Sequence, residues 1–415
     1  MTTLRSRRVV LEEGIRPATV RVERGVVVSI GGGLADEDFG DLVVLPGLVD
    51  SHVHVNEPGR AEWEGFATAT AAAAAGGTTT IVDMPLNSIP PTTTVAALVE
   101  KRAVASGRLT VDVAFWGGIV PGTESEVGAL LDSGVCGFKV FLTDSGVPEF
   151  PPVEVSTLMD LDPGLPLLVH AESDRHLTAP GPTYSEYLDS RPPIAEAEAI
   201  AALAGAPGPL HILHVSSAEG VAQIDANDQM TGETCPHYLT FTDDDVTSPL
   251  FKCAPPIRGV NHREALWSGL LSGALGMVVS DHSPSPPELK SGDFATAWGG
   301  IASLELRLHV TWTGAAARGI GLGSVAEWLA GAPARLAGLD DRKGTIAVGK
   351  DGDFVIFDPD GMTPVRGKDL FQRHKSTPYE GMALRGAVKR TVLGGDAVFD
   401  GRIVGAPRGR MLERR

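Results

Sequence analysis

The sequence of 415 residues contains only three cysteines, Cys136, Cys235 and Cys253. Three scattered thiols are too few for a disulfide framework or a thiolate metal cluster, so we expect buried free thiols. That usage fits a reducing compartment and predicts a cytoplasmic protein. The first eight residues are basic, but only a short apolar run follows before Glu12, which predicts no signal peptide.

Long apolar runs and an excess of positive charge are also missing. No stretch approaches the roughly 20 apolar residues that a membrane-spanning helix needs. The formal net charge is −17, whereas nucleic acids and anionic membranes bind clustered lysine and arginine. The composition therefore predicts neither a nucleic-acid partner nor a membrane partner.

The chain does contain an alternation of short apolar runs with Ala-rich, helix-compatible segments such as residues 62–75. Strands that alternate with helices predict right-handed βαβ units and a parallel sheet. Eight such units predict an α/β fold with a closed, TIM-like (β/α)8 barrel. The predicted strands are 47–55, 78–83, 111–116, 137–142, 166–170, 210–215, 232–235 and 276–281.

The two flanks of this alternating region have a different, β-rich pattern. We expect residues 1–46 and 344–415 to form one small β-sandwich domain assembled from both chain ends. Residues 47–343 would then form the barrel, which is the part expected to carry the chemistry.

Lys139 lies within the apolar run 137–142, where a free ammonium group is unfavourable. A snorkelling or ion-paired lysine would explain this residue in isolation. However, His52 and His54 lie at i and i+2, on one face of the first strand. Three more metal-ligand side chains lie at or near the ends of further predicted strands: His170, His214 and Asp281. Because barrel active sites form where the carboxyl ends of the strands converge, we expect all six side chains to meet.

A carbamate on Lys139, formed with carbon dioxide, would turn this cation into a bridging carboxylate. The six side chains could then hold two divalent metal ions, with zinc the first choice and cobalt, manganese or nickel as alternatives. Such ions lower the pKa of bound water to about 7 and supply hydroxide. Asp281 would take the proton of this bridging hydroxide and pass it to a leaving nitrogen. The pattern therefore predicts hydrolysis of an amide or a related carbonyl centre.

These motifs resemble the amidohydrolase superfamily, and within it the cyclic amidohydrolases: dihydroorotase, hydantoinase or dihydropyrimidinase, and allantoinase. The similarity extends from residues 45–54 to residues 349–359. It implies that His52, His54 and Asp281 bind the more buried metal and that His170 and His214 bind the other. Lys139, as N6-carboxylysine, would bridge the two metals. The resemblance also implies a homotetramer acting on a small-molecule substrate.

Several loop segments are most similar to allantoinases, including residues 84–92, 253–258 and 280–284. Asn56 stands where dihydroorotases usually carry arginine for a substrate carboxylate. Thr143 and Asp144 stand where hydantoinases typically place a tyrosine. The resemblance thus implies opening of the hydantoin ring of allantoin to allantoate, in purine catabolism. Hydantoinase or dihydropyrimidinase activity is the first alternative and dihydroorotase activity the second. A non-catalytic scaffold related to dihydropyrimidinase is disfavoured, because all six ligand residues are present.

The expected substrate contacts lie in the loops that follow the strands. Asn56 and Asn87 could hydrogen-bond the uncharged ureido group of allantoin, although both residue types also commonly cap turns. The resemblance implies that Ala254 and the segment Trp298, Gly299 and Gly300 contact the imide ring, largely through the backbone. Glycine at these positions would permit close approach of the backbone.

Overall fold

A computed structural model describes residues 1–414 and contains 17 strands. In chain order the strands are β1 (Thr2–Leu11), β2 (Gly14–Glu23), β3 (Val26–Gly31), β4 (Glu37–Asp38), β5 (Val43–Pro46), β6 (Leu48–Val53), β7 (Thr78–Asp83), β8 (Asp112–Phe115), β9 (Gly117–Gly118), β10 (Phe138–Phe141), β11 (Leu167–His170), β12 (Leu210–Ile212), β13 (Met230–Thr234), β14 (Met277–Val278), β15 (Phe354–Pro364), β16 (Ala383–Leu393) and β17 (Asp396–Phe399).

The α-helices within residues 1–414 mostly connect these strands. They are α1 (Phe66–Ala75), α2 (Val95–Ala105), α3 (Val127–Asp132), α4 (Val155–Met159), α5 (Tyr184–Ser190), α6 (Pro193–Ala202), α7 (Ala218–Asp225), α8 (Pro236–Thr240), α9 (Val260–Ser272), α10 (Arg307–Ala317), α11 (Leu322–Ala326) and α12 (Ala332–Ala337). None of them is long and apolar enough to cross a bilayer.

The barrel consists of two parallel sheets, β6–β7–β8 and β9–β10–β11–β12–β13–β14. Strand β8 ends at Phe115 and β9 begins at Gly117, so only Trp116 separates them and the two together act as one barrel strand. At the other junction Val53 of β6 pairs with His282, which follows β14. Each predicted apolar run overlaps one of the resulting eight barrel strands, and the predicted (β/α)8 fold is confirmed.

The barrel strands form these continuous apolar runs because both of their faces are covered. Every residue of β6, β7, β10 and β11 is buried, which is typical of parallel strands between a packed interior and outer helices. A charged side chain inside such a strand needs a compensating polar partner. Lys139 in β10 meets that condition at the carboxyl end of the barrel.

The first barrel helix begins later than the sequence pattern predicts. Helix α1 begins at Phe66 rather than at residue 62, because the Glu57 carboxylate accepts a hydrogen bond from the Phe66 amide at 3.0 Å. Gly65 precedes the helix with φ of 100°, a backbone conformation that favours glycine. The helix ends at Ala75, before Gly76 and Gly77, as the sequence predicts.

Both chain ends contribute to one eight-stranded sheet beside the barrel, as expected for the small β-domain. Its order is β17–β16–β15–β5–β1–β2–β3, with β4 paired to β1. The two ends join where β15 runs antiparallel to β5, with Val355 opposite Leu45. The exact division of the chain into 1–46, 47–343 and 344–415 stays a prediction.

Candidate metal centre and substrate cavity

The structure brings all six predicted ligand residues together at the carboxyl end of the barrel. Each lies in, or shortly after, a different barrel strand, apart from the pair contributed by the first strand, and each is buried. These residues are His52, His54, Lys139, His170, His214 and Asp281.

The first group of donor atoms belongs to His52, His54 and Asp281, which all lie within 4.8 Å of one another. The Asp281 Oδ1 atom is 3.2 Å from Nε2 of His52 and 3.7 Å from Nε2 of His54. Two imidazole nitrogens therefore point at one carboxylate oxygen in a buried space. This is a suitable donor set for a divalent ion such as zinc.

The second group is formed by His170 and His214, with Lys139 between the two groups. Nδ1 of His170 lies 3.0 Å from Nε2 of His214. The Lys139 ammonium nitrogen lies 3.3 Å from Nε2 of His52, and the rings of His52 and His214 are 5.5 Å apart. The lysine side chain thus reaches the space shared by both groups.

The ring nitrogens that point away from this space have acceptors of their own. Nδ1 of His52 donates to Glu233 at 2.6 Å, and Nε2 of His170 donates to Glu172 at 2.7 Å. A histidine that donates its outer N–H to a carboxylate presents the lone pair of its other nitrogen inward, which is the usual arrangement of metal-bound histidine. His214 differs, because its buried Nδ1 has no hydrogen-bond partner among residues 1–414. The converging lone pairs fit two divalent ions.

Burial also controls the charge of these groups. It lowers the pKa values of His52, His54 and His214 well below the ordinary value, so the rings are neutral at pH 7. Burial lowers the pKa of Lys139 against the attraction of Asp281, and it raises the pKa of Asp281 against the attraction of Lys139. Neutral imidazoles can bind a metal, and a lysine with a lowered pKa has more of the neutral amine that reacts with carbon dioxide.

Backbone strain is concentrated around the same site. Among residues 1–414, five non-glycine residues have a positive φ, and four of them are predicted site residues: Asn56, Asn87, His214 and Asp281. The values range from 37° for His214 to 66° for Asn56. Such conformations are unfavourable for most side chains and are retained where the surrounding structure holds them, commonly at functional sites.

A cavity of about 290 Å³ opens onto the ligand residues. Five of the six predicted substrate contacts line it: Asn87, Ala254, Trp298, Gly299 and Gly300. Asn56 is placed differently, because its buried amide nitrogen donates to the Pro284 carbonyl oxygen at 3.3 Å. Its side chain therefore faces the loop that follows Asp281 and lies outside the cavity lining described for residues 1–414.

Several residues of the site were not identified from the sequence. Glu233 and Glu172 orient the histidines, and Arg191 holds Glu172 through Nη2 at 2.5 Å and Nε at 3.1 Å. The spacing of Glu172, two residues after His170, was a usable signal for one of them. For Glu233, the only sequence feature that could have identified it is a carboxylate inside an apolar strand. Asp144, Lys252 and Tyr187 also line the cavity. The sequence indicated Asp144 only as a departure from the hydantoinase pattern, and no motif pointed to Lys252 or Tyr187.

The comparisons with known proteins agree with this geometry. Residues 43–398 match the amidohydrolase family, and the chain belongs to that family. It is a hydrolytic enzyme that uses divalent metal ions and acts on a small molecule. An allantoinase from Streptomyces avermitilis is 46% identical, over 99% of this chain and 98% of the relative. An allantoinase from Arabidopsis thaliana is 39% identical, over 95% of this chain and 87% of the relative.

Among solved structures, an L-hydantoinase (dihydropyrimidinase) from Arthrobacter aurescens is similar over the full length of both chains. The TM-score is 0.94 at 32% sequence identity. This likeness supports the assignment of a barrel with an attached β-domain.

Proposed function

We propose that this enzyme hydrolyses allantoin, opening the hydantoin ring at the ring amide to form allantoate, as a step of purine breakdown. The observation that carries the proposal is the 46% identity to an allantoinase across almost the whole chain. The likeness to a hydantoinase structure supports the same bond class, since allantoin is a hydantoin that carries a ureido group.

We further propose how the metals are held. His52, His54 and Asp281 would hold one ion, His170 and His214 the other, and carboxylated Lys139 would bridge them. Zinc fits the nitrogen and oxygen donors best, while cobalt, manganese and nickel accept the same donors. When bound, the two ions would polarise the ring carbonyl and make a water molecule nucleophilic at neutral pH.

Asp281 is the proposed proton carrier. Its carboxylate borders both the histidine cluster and the cavity, so it can reach a water molecule and a ring nitrogen in turn. It would accept a proton from the attacking water and deliver it to the leaving nitrogen. Burial raises the pKa of Asp281, which favours a carboxyl group that can hold a proton during turnover.

The cavity walls are suited to a polar, uncharged substituent. Asn87 can donate and accept, Asp144 can accept from ureido N–H groups, and Lys252 can donate to the ureido carbonyl. Tyr187 and Trp298 also line the cavity, where their rings could pack against a flat heterocycle. Hydantoinase activity is the second candidate, favoured by the TM-score of 0.94.

The cellular setting is part of the proposal. We propose a cytoplasmic homotetramer. Support for a reducing compartment comes from Cys136, Cys235 and Cys253, which are all free and buried. Support for the tetramer comes only from the family resemblance.

The test is ring opening of allantoin, hydantoin, dihydrouracil and dihydroorotate, measured in parallel with protein loaded with zinc and bicarbonate. We expect the highest kcat/KM for allantoin, and we expect a chelator to abolish it. Asp281→Asn serves as the control and should lose about 10²- to 10⁴-fold in kcat. Greater activity on plain hydantoin or dihydrouracil would refute the allantoin assignment and favour the second candidate.

A further inference from the structure

A second group of metal-ligand side chains also includes Asp281. The Sγ atom of Cys235, a ring nitrogen of His237 and a carboxylate oxygen of Asp281 all lie within 4.8 Å of one another. Cys235 follows β13 directly, and His237 lies in the first turn of α8. One strand-to-helix turn therefore directs a thiol and an imidazole at the same carboxylate.

His237 has an unusual environment for a buried histidine. Its exposed fraction is 0%, yet neither ring nitrogen has a hydrogen-bond partner anywhere in residues 1–414. Its ring packs edge-on against Tyr238 at 4.2 Å, which offers no polar partner. Each unsatisfied buried polar atom costs about 1–3 kcal/mol, and such atoms are rare in native proteins. A bound group that accepts the lone pair of one ring nitrogen would remove this cost for that nitrogen.

The charges around the cluster favour a cation as that group. Asp281 is itself one of the three donors, and Glu233 lies two residues before Cys235, in β13. A divalent ion displaces the thiol proton and offsets the negative charge of these carboxylates.

We propose that Cys235, His237 and Asp281 form an additional zinc site beside the catalytic pair. Sulfur, imidazole nitrogen and carboxylate oxygen are the three donor types that zinc accepts, whereas manganese favours oxygen donors. The ion would reach the site through the cavity, which Asp281 lines. Because Asp281 is shared, an ion held there withdraws the carboxylate from proton transfer, so excess zinc inhibits hydrolysis. This inhibition, but not the site itself, rests on the proposed function.

Metal stoichiometry tests the site without any substrate. Metal-free full-length protein, supplied with bicarbonate, is titrated with zinc, and bound zinc per chain is measured after removal of free ions. We expect the wild type to bind one more zinc per chain than Cys235→Ser or His237→Gln. Cys136→Ser is the matched control, because Cys136 is also buried but packs in a different hydrophobic core cluster from Cys235. This variant should bind as many zinc ions as the wild type. Thermal melting of each variant checks that it is folded.

Cobalt gives a direct spectroscopic measure of the sulfur ligand. Wild type and Cys136→Ser, loaded with cobalt, should show a cobalt–thiolate charge-transfer band that Cys235→Ser lacks. In activity assays, excess zinc should inhibit only the proteins that retain this site. Equal zinc stoichiometry in wild type and both folded variants, or a cobalt-loaded wild type without the band, would overturn the site. An extra zinc in a protein that does not open allantoin would leave the site standing and refute the proposed function.

Discussion

Glu233 Oε1 accepts a hydrogen bond from Nδ1 of His52 at 2.6 Å, and its other oxygen lies 3.1 Å from Nε2 of His211. All three side chains are fully buried. The carboxylate therefore holds the His52 ring in one orientation, with Nε2 directed at Asp281. A residue of this kind acts on a metal through its ligand rather than by direct contact.

Glu233→Gln tests this positioning role. We expect zinc affinity to fall by about 10- to 100-fold, since the His52 tautomer and ring orientation are no longer enforced. At saturating zinc, most of kcat should return, because no ligand has been removed. Zinc titration against a competing chelator measures the first effect, and steady-state kinetics measure the second. Unchanged zinc affinity in a folded variant would show that Glu233 only supports packing.

Lys139→Ala tests the bridging carboxylate. The variant should bind less metal and lose at least about 10²- to 10³-fold in kcat, because it lacks a charged group of the site. In the wild type, peptide mass analysis under mild conditions should find one added carbon dioxide on Lys139. Lys101 is the internal control: it is equally buried but donates to Asp83 Oδ2 at 2.6 Å, so it should remain unmodified. Two tightly bound metals and full turnover in Lys139→Ala would disprove the bridge.

Asn87 and Asn56 form a matched pair for substrate recognition. Both have a positive φ, so each is best replaced by glycine, which removes the side chain without adding strain. Asn87→Gly should lower kcat/KM for allantoin by about 10-fold more than for hydantoin, as expected for one lost hydrogen bond. Asn56→Gly should affect both substrates equally, because its amide faces Pro284. Equal losses in Asn87→Gly would mean that Asn87 does not contact the ureido group.

Glu305 predicts a pH-dependent change in stability away from the metal centre. Burial raises the pKa of its carboxyl group to about 8, although the Phe371 amide donates to it at 2.7 Å. Between its ordinary pKa near 4.5 and pH 8 the unfolded chain releases this proton while the folded chain retains it, so stability falls as pH rises. Glu305→Gln removes this loss of stability at high pH, because the amide side chain does not titrate.

We therefore expect Glu305→Gln to be stabilised relative to wild type by about 2–4 kcal/mol at pH 8 and much less at pH 5. Urea unfolding of both proteins at the two pH values measures the difference. Glu100→Gln, on the exposed surface of α2, should match the wild type at both. A constant difference between Glu305→Gln and wild type across pH would contradict the raised pKa.

The barrel and the convergence of the six candidate ligand residues could be predicted from sequence because both follow from local patterns, whereas their role as metal ligands stays a prediction. Continuous apolar runs such as β10 are typical of strands buried on both faces, and a barrel topology then brings their carboxyl ends together. Lys139 was informative because a lysine inside such a run needs a specific reason. The shared position of these residues at strand ends, rather than any single histidine, made the prediction specific.

Other features depend on contacts between distant segments and could not be predicted. The start of α1 is decided by Glu57, which caps it from outside the helix. The pairing of β5 with β15 joins segments from opposite ends of the chain, with Val355 opposite Leu45. Asn56 was expected at the substrate, but its positive φ and its bond to Pro284 turn the side chain elsewhere.

The metal dependence of catalysis is tested by measuring kcat/KM for allantoin after removal and return of the metal. Protein stripped of metal in buffer free of carbon dioxide is assayed with zinc alone, bicarbonate alone, and both together. We predict that full activity returns only with both, since the site needs two ions and a carboxylate on Lys139. Rapid allantoin hydrolysis by the metal-free protein would show that catalysis does not depend on this metal site.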